Sequence, residues 1–429
     1  MLFRSTHVTE THIHADYLSG SRELARATGA TLLLSAEGGP DWQYAFAASD
    51  HARLLRDGYS FAVGKVRVDV LHTPGHTPEH LAFLVTDTAA SERPIGLCSG
   101  DFVFVGDVGR PDLLERAANV ANTMEVAAHQ LFHSLARFRA LPDYVQVWPG
   151  HGAGSACGKA LGAMPQSTVG YEKIANWGVA ATREEPFVHE VLAGQPEPPV
   201  YFATMKRLNR DGPPLLGGMP TPKPLAPTAL TPAVVREAIV VDIRAADDFA
   251  VGYIPGTLNI PFGKTFSTWA GWLLPYDRDV VLIAADAAQA ARAAREMAMI
   301  GLDHVAGFTT ADAVTAWKAA GHGVDTIPQT TGAAIEGRIT AQQVTVVDVR
   351  NRSEWLHGHI PGARHIPIGH LDARWAEIPS DKPIVLHCQG GARSAIAASV
   401  LRRAGIRDVI NLRGGFGEWE HEGRAIAHD

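Results

Sequence analysis

Ile384-Val385-Leu386-His387-Cys388-Gln389-Gly390-Gly391-Ala392-Arg393-Ser394 is the stretch on which the fold of this chain turns. An apolar run of strand character enters a short glycine-bearing loop, and a helical run, Ser394–Ala404, follows. Backbone N–H groups of such a loop can converge on the cysteine sulfur. The N-terminus of the next helix adds positive potential and Arg393 adds a full charge. All three favour thiolate over thiol at Cys388. The stretch is therefore a strand–loop–helix unit of an α/β fold and also a nucleophile in an anion cradle. A buried structural cysteine is the plainer alternative, and the conjunction of loop, glycines, arginine and helix start argues against it. Gly391, Arg393 and Ser394 join Cys388 as the candidate catalytic set.

The same alternation recurs upstream. Ile239–Ile243, Val280–Ile283 and Val344–Val349 read as strands and Ala287–Ile300 as a helix. Val241-Asp242-Ile243-Arg244 returns as Val347-Asp348-Val349-Arg350, Tyr253-Ile254-Pro255-Gly256 as His359-Ile360-Pro361-Gly362, and Ile260-Pro261 as Ile366-Pro367, always 106 positions on. A constant offset means two copies of one domain. Aligning Val280–Ile283 with Ile384–His387 sets Ala284 opposite Cys388, and no cysteine lies between Cys157 and Cys388. The first copy therefore cannot carry cysteine-bound sulfur and is expected to pack, orient or recognise. A Pro/Gly-rich stretch, Asp211–Pro232, reads as a semi-rigid linker, and a weaker break falls at Asp325–Gly337. The expected organisation is a metal domain over 1–211, a linker over 212–232, the cysteine-free copy over 233–325 and the cysteine-bearing copy over 335–429.

The N-terminal third gathers histidines. Of the 20 in the chain, ten lie at or before His151. Thr11-His12-Ile13-His14-Ala15-Asp16-Tyr17 follows a β-like run and precedes a helical segment, Arg22–Ala27, so His12 and His14 share a face. Pro74-Gly75-His76-Thr77-Pro78 presents a histidine in a turn, Ser99-Gly100-Asp101 ends an apolar run, and Trp148-Pro149-Gly150-His151-Gly152 presents another histidine. Each is weak alone, since a lone turn histidine is usually solvated or capping; together, at successive strand ends, they make a metal site. His12, His14, His76, Asp101 and His151 are its candidate ligands, and imidazole with carboxylate suits iron or zinc. Asp16, His151 and Tyr17 fall at a possible second site or pocket.

In order, these motifs resemble the metallo-β-lactamase superfamily. Dinuclear hydrolases of that group carry a histidine where this chain has Tyr17, which implies that the second metal is absent. Glu10–Gly20, Thr73–His80 and Gly106-Asp107-Val108-Gly109-Arg110-Pro111-Asp112 resemble persulfide dioxygenases, and Gly150–Lys159 resembles the branch fused to rhodanese domains. That resemblance implies one Fe(II) per chain on His12, His76 and Asp101, with zinc as the alternative. It also implies O2-dependent oxidation of a persulfide to sulfite and thiol. Arg110 and Asp112 match positions near the substrate pocket, with a structural salt bridge as the equal alternative. Cys388-x-x-Gly391-x-Arg393-Ser394, with Asp348-x-Arg350 and Gly358–Ala363, resembles the rhodanese sulfurtransferases over about residues 335–427. The implied architecture is α/β: an αββα sandwich followed by two rhodanese-like domains with central parallel sheets. The resemblance also implies roughly fifty residues of β-structure ahead of the first histidine motif, where this chain has eleven, so an exposed sheet edge and an incompletely covered core are expected.

Composition narrows the function classes. The formal charge is −7 and the pI about 6.3, giving no electrostatic support for nucleic acid or anionic membrane. No apolar run reaches spanning length and no secretory leader is evident. Three cysteines cannot build a disulfide framework, so a reducing cytoplasm is expected. Cys98 reads as packing, Cys157 as packing or a sulfur-accepting thiol. The expected partners are a small-molecule persulfide, thiosulfate or sulfite, and O2, and assembly into a homo-oligomer is expected. The function expected is a persulfide dioxygenase joined to a Cys388 sulfurtransferase. The alternatives are a zinc thioester hydrolase resembling glyoxalase II and a non-catalytic sulfur-carrier fragment.

Overall fold

A computed structural model describes residues 4–118, 123–159 and 161–428. The chain divides into two compact units, 1–218 and 219–429.

The first unit stacks two sheets between helices. Strands β1 (His7–Thr9), β2 (Thr31–Ser35) and β3 (Arg53–Leu55) form a parallel three-stranded sheet in that order. Strands β4 (Ser60–Val63), β5 (Val66–His72), β6 (Leu81–Asp87), β7 (Gly96–Gly100), β8 (Gln146–Pro149) and β9 (Ser167–Thr168) form a mixed six-stranded sheet, also in order. Alternation along the strands explains the layering. Leu33 of β2 packs with Leu55, Val70, Leu81 and Phe83 between the sheets, whereas Leu32 and Leu34 face outward onto Ile13, Tyr44 and Phe46. On the far side Ala82 and Leu97 pack on Ala128, Leu131 and Leu135 of helix Met124–Arg139. β1 is an edge strand, but the core on both faces of its sheet is closed: Tyr44, Phe46 and Ala47 fold over Leu32 and Leu34, and Leu33 is buried against the second sheet.

The second unit holds two parallel sheets. β10 (Ile239–Asp242), β11 (Leu258–Asn259), β12 (Val280–Ile283) and β13 (Val305–Thr309) run in the order β11-β10-β12-β13. β14 (Gln329–Thr330), β15 (Thr345–Asp348), β16 (Arg364–His365), β17 (Ile384–His387) and β18 (Val409–Leu412) run in the order β14-β18-β17-β15-β16. The repeat extends to individual hydrogen bonds. Arg244 binds Asp242 and the Gly252 carbonyl; Arg350 binds Asp348 and the Gly358 carbonyl. The copies also pack on each other. The Asn259 N–H donates to Ser399 Oγ at 3.0 Å, and Arg402 reaches the Tyr253 hydroxyl at 2.8 Å and Asp325 at 3.0 Å.

Two expected breaks carry structure. Within the Pro/Gly-rich stretch, Leu216 and Gly217 donate to Glu23 in the first unit, and Lys223 and Leu225 bond Phe308 at the edge of β13. The residues that cannot hold a helix can still dock their backbone. Similarly, β14 lies inside the weaker break yet pairs with β18, so the second sheet starts before residue 335. No helix of the described residues is long and apolar enough to cross a membrane.

Candidate metal centre and cysteine loop

The metal residues sit on loops at strand ends, where α/β folds build sites. His12 and His14 lie in the extended segment after β1, His76 in the turn between β5 and β6, Asp101 just beyond β7, and His151 just beyond β8. One ligand atom each of His12, His76 and Asp101 can be chosen so that all lie within 4.8 Å of one another, and all three residues are buried. His12 Nε2 stands 3.9 Å and His76 Nε2 3.5 Å from Asp101 Oδ2. His12 Nε2 and both Asp101 oxygens have no hydrogen-bond partner. Buried polar atoms left unpaired and aimed at one point are costly unless something binds there. The donor set fits a divalent transition metal. Burial pushes the pKa of His12 well down, with nearby imidazoles adding to it, and burial brings His76 to about 4 against the pull of Asp101. Both are thus neutral, the ligating form.

His14 is placed differently. Its Nε2 meets the Tyr17 hydroxyl at 3.0 Å and the rings lie 4.4 Å apart. Tyr17 is thereby engaged with the neighbouring imidazole. A second cluster, Asp16, His151 and Cys157, offers ligand atoms within 4.8 Å of one another, and His151 Nε2 lies 3.2 Å from Asp16 and 3.4 Å from Asp101. Burial acts to lower the His151 pKa, but the close approach and charge of Asp101 and the charge of Asp16 lift it to about 9.

Several supporting residues carried no role in the sequence reading. Glu79 Oε1 accepts the Ile13 N–H at 2.7 Å and so ties down the His12–His14 segment. His80 Nε2 accepts the Asp101 N–H at 3.1 Å, which makes Nδ1 the protonated nitrogen that donates to Thr73 Oγ1 at 2.8 Å. Asn209, in helix Tyr201–Asp211, donates to the His14 and Tyr17 carbonyls at 2.8 and 2.7 Å and accepts the Ser19 N–H at 2.8 Å. Glu79 and His80 sit in a motif that could have suggested them; nothing local marks Asn209. Gly109 explains part of its own motif: a Cβ there would lie 1.8 Å from the Asp101 carbonyl oxygen. Arg110 and Asp112, for which a place near substrate and a structural salt bridge were equal expectations, are fully buried. Arg110 grips Asp112 through two nitrogens and also donates to the Ala156 and Pro196 carbonyls. The geometry is that of the salt-bridge alternative, a clamp on the loop before Cys157 rather than a substrate-facing pair.

In the second unit Cys388 follows β17 and is 1% exposed. Gly391, at φ +95°, turns its N–H onto Sγ at 3.1 Å, and Ser394 Oγ lies 3.6 Å from Sγ. Helix Ala392–Arg403 starts immediately after Gly391. Arg393 is not a free charge as the sequence suggested: Glu354 takes both its terminal nitrogens at 2.6 and 2.7 Å. A cavity of about 300 Å³ adjoins the loop, lined in part by Arg350, Glu354, Gln389, Phe416 and Glu420. In the first copy Ala284 follows β12 and is fully buried.

Comparison with known proteins agrees with this division. Residues 3–151 match the metallo-beta-lactamase superfamily, and residues 231–320 and 332–422 match the rhodanese-like domain. A crystal structure of a metallo-beta-lactamase from Staphylococcus aureus is 42% identical, covers 71% of this chain and 85% of its own, and superposes with a TM-score of 0.65. A hydroxyacylglutathione hydrolase of Methylococcus capsulatus is 34% identical over 155 residues, which is 35% of this chain and 49% of that protein, so the match spans about half its length. A sulfurtransferase of Allochromatium vinosum is 39% identical over 85 residues, 20% of this chain and 79% of that one.

Proposed function

The chain belongs to the metallo-beta-lactamase superfamily and carries two rhodanese-like domains, and from that premise we propose that its first unit oxidises a low-molecular-weight persulfide with O2 while its second moves sulfane sulfur through Cys388. The observation that carries the reading is a buried two-histidine, one-carboxylate set with unpartnered ligand atoms in the same chain as a cradled cysteine. His12, His76 and Asp101 would hold one Fe(II), which when bound supplies the redox chemistry between O2 and the outer persulfide sulfur. Glu79, His80 and Asn209 hold the loops that present those residues, and burial keeps bulk water from the reacting sulfur. Per turnover one persulfide, one O2 and one water give one thiol and one sulfite; sulfur is oxidised and oxygen reduced.

At the second site the Cys388 thiolate attacks the outer sulfur of thiosulfate. The S–S bond breaks, sulfite leaves with the electron pair, and the cysteine persulfide passes its sulfur to a thiolate. The reverse, sulfite accepting sulfur from Cys388, gives thiosulfate. The Gly391 N–H and the helix start stabilise the charge on Sγ. Its cysteines are all free, which suits a reducing compartment.

The test is oxygen uptake by anaerobically iron-loaded protein on adding glutathione persulfide, with sulfite as the readout. Uptake with stoichiometric sulfite is expected; an iron-retaining protein that takes up no oxygen sinks the dioxygenase reading. A zinc-dependent thioester hydrolase is the second reading, favoured by the likeness to the hydroxyacylglutathione hydrolase and by the Asp16, His151 and Cys157 cluster beside the first ligand set. Thioester turnover by zinc-loaded protein, without oxygen uptake by the iron form, selects it.

A further inference from the structure

The second unit has a cavity away from the cysteine loop. Its volume is about 350 Å³, and Thr326, Arg338, Pro383, Arg402, Arg407 and Asp408 are among the residues that line it. Small-molecule sites run from roughly 300 to 1,000 Å³. Pro383 and Asp408 stand immediately before β17 and β18, at the starts of those strands, whereas Cys388 follows the end of β17. Helix Ala392–Arg403 begins beside Cys388 and carries Arg402 in its last turn. The length of that helix, about 18 Å at about 1.5 Å per residue, separates the cavity from the nucleophile.

Three arginines line this space with one carboxylate, Asp408. In a chain with 45 acidic and 38 basic side chains, that local balance is inverted. Arg402 is braced: its Nε donates to the Tyr253 hydroxyl at 2.8 Å, a terminal nitrogen reaches Asp325 at 3.0 Å, the other donates to the Arg407 carbonyl, and the side chain is 11% exposed. Arg338 and Arg407 differ. Among the described residues neither forms an ion pair, although Asp408 lines the same cavity. Arg338 comes from the last turn of helix Gly332–Thr340 and Arg407 from the loop before β18. A last-turn arginine offsets its helix dipole, which accounts for Arg338 and Arg402. Arg407 has no such duty. Three elements thus bring guanidinium groups to one concavity, and the planar fork of arginine matches the paired oxygens of a phosphate.

We propose that this cavity binds a small phosphate-bearing anion, of the diphosphate type that nucleotides carry. Two arginines without ion pairs and a braced third suit two linked anionic centres better than a lone carboxylate. Arg402 also holds the cysteine-free copy through Tyr253 and Asp325, and Thr326 belongs to the segment that joins the copies. A bound diphosphate therefore clasps the two copies at the end of the helix remote from Cys388. The inference requires neither the dioxygenase nor the sulfurtransferase reading.

Calorimetric titration of the metal-loaded protein with pyrophosphate, at fixed ionic strength, tests it. Saturable binding is expected. Arg338→Gln and Arg407→Gln should each weaken it roughly tenfold, the loss for one charge-assisted hydrogen bond, and the double variant should weaken it further. Arg295→Gln, which removes an exposed arginine from helix Ala287–Ala298, should leave binding unchanged. Equal weakening by all three single variants would mean general attraction of anions to surface charge, and that result overturns the assignment. So does a parent that binds no pyrophosphate. Full affinity in the double variant also rejects it, since the anion would then sit at the metal centre or the cysteine loop. Should the variants fail to fold, the Nε–Hε resonance of Arg402 in 15N-arginine-labelled parent decides: a shift on adding pyrophosphate supports the site and no shift rejects it. Repeating the titration with ADP separates the sources of the diphosphate. Tighter binding of ADP through the same arginines identifies a nucleotide, and tighter binding of pyrophosphate identifies the free anion; either supports the site.

Discussion

His387 is buried directly before the nucleophile, with neither ring nitrogen hydrogen-bonded and Asp348 3.7 Å away. Burial lowers its pKa from 6.5 to about 4 in spite of Asp348, with Arg350 adding to the fall. The folded protein thus keeps this imidazole neutral where the unfolded chain would protonate it, and stability rises with pH wherever the unfolded state binds more protons. The contribution is complete above pH 6.5 and is lost as pH falls towards 4. Exchange protection factors at Ile384–Cys388 should therefore fall across that window by more than those at strands of the first copy, and His387→Gln should flatten the difference. An unchanged exchange profile in the variant would mean the imidazole does not set the acid limit of this strand. Cys388 depends on short-range geometry: a turned N–H from Gly391 and a hydroxyl from Ser394 join Arg393, whose guanidinium acts on the sulfur while it is paired with Glu354.

At the scale of elements, two helices have work beyond packing. Helix Tyr201–Asp211 uses Asn209 to tie the carbonyls of His14 and Tyr17 and the N–H of Ser19. Asn209→Ala leaves those buried backbone groups unsatisfied and should cost about 1–3 kcal/mol. It should also weaken metal retention several-fold, read by titrating the loaded protein with a chelator; full retention would show that the segment is held by Glu79 alone. Helix Ala392–Arg403 is buried continuously from Ser394 to Leu401. An amphipathic pattern would leave one face wet, but here the cysteine-free copy covers it, with Asn259 on Ser399 and Tyr253 on Arg402. That copy supplies a floor for the helix whose start cradles Cys388.

At the scale of the whole molecule, the two chemistries lie in different compact units. Removing the metal with a chelator should abolish oxygen uptake and leave thiosulfate turnover intact, while Cys388→Ser should abolish thiosulfate turnover and spare oxygen uptake. Both assays run on the same chain, and loss of both activities from either treatment would contradict the separation. On the proposed reading, sulfite from the first unit is chemically suited to accept sulfur from the second, so supplying persulfide to the intact parent should yield thiosulfate, and the Cys388→Ser protein should stop at sulfite.

What the sequence determined by itself was whatever is carried by local period and by motifs in fixed register. The strands β10, β12, β15 and β17 follow from their apolar runs, the duplication from its constant 106-residue offset, and the candidate ligand residues from short motifs near strand ends. These features are legible because hydrophobic period and turn chemistry act over a few residues. The tertiary structure alone decided which distant groups meet. Asn209 reaches the His14 carbonyl across nearly two hundred residues, Glu354 pairs with Arg393, Arg110 and Asp112 close on each other, and the Pro/Gly stretch docks by its backbone. None of these has a local signature, because burial and pairing are properties of the packed whole, and an asparagine in a helix reads the same whether it ends in water or on a buried carbonyl.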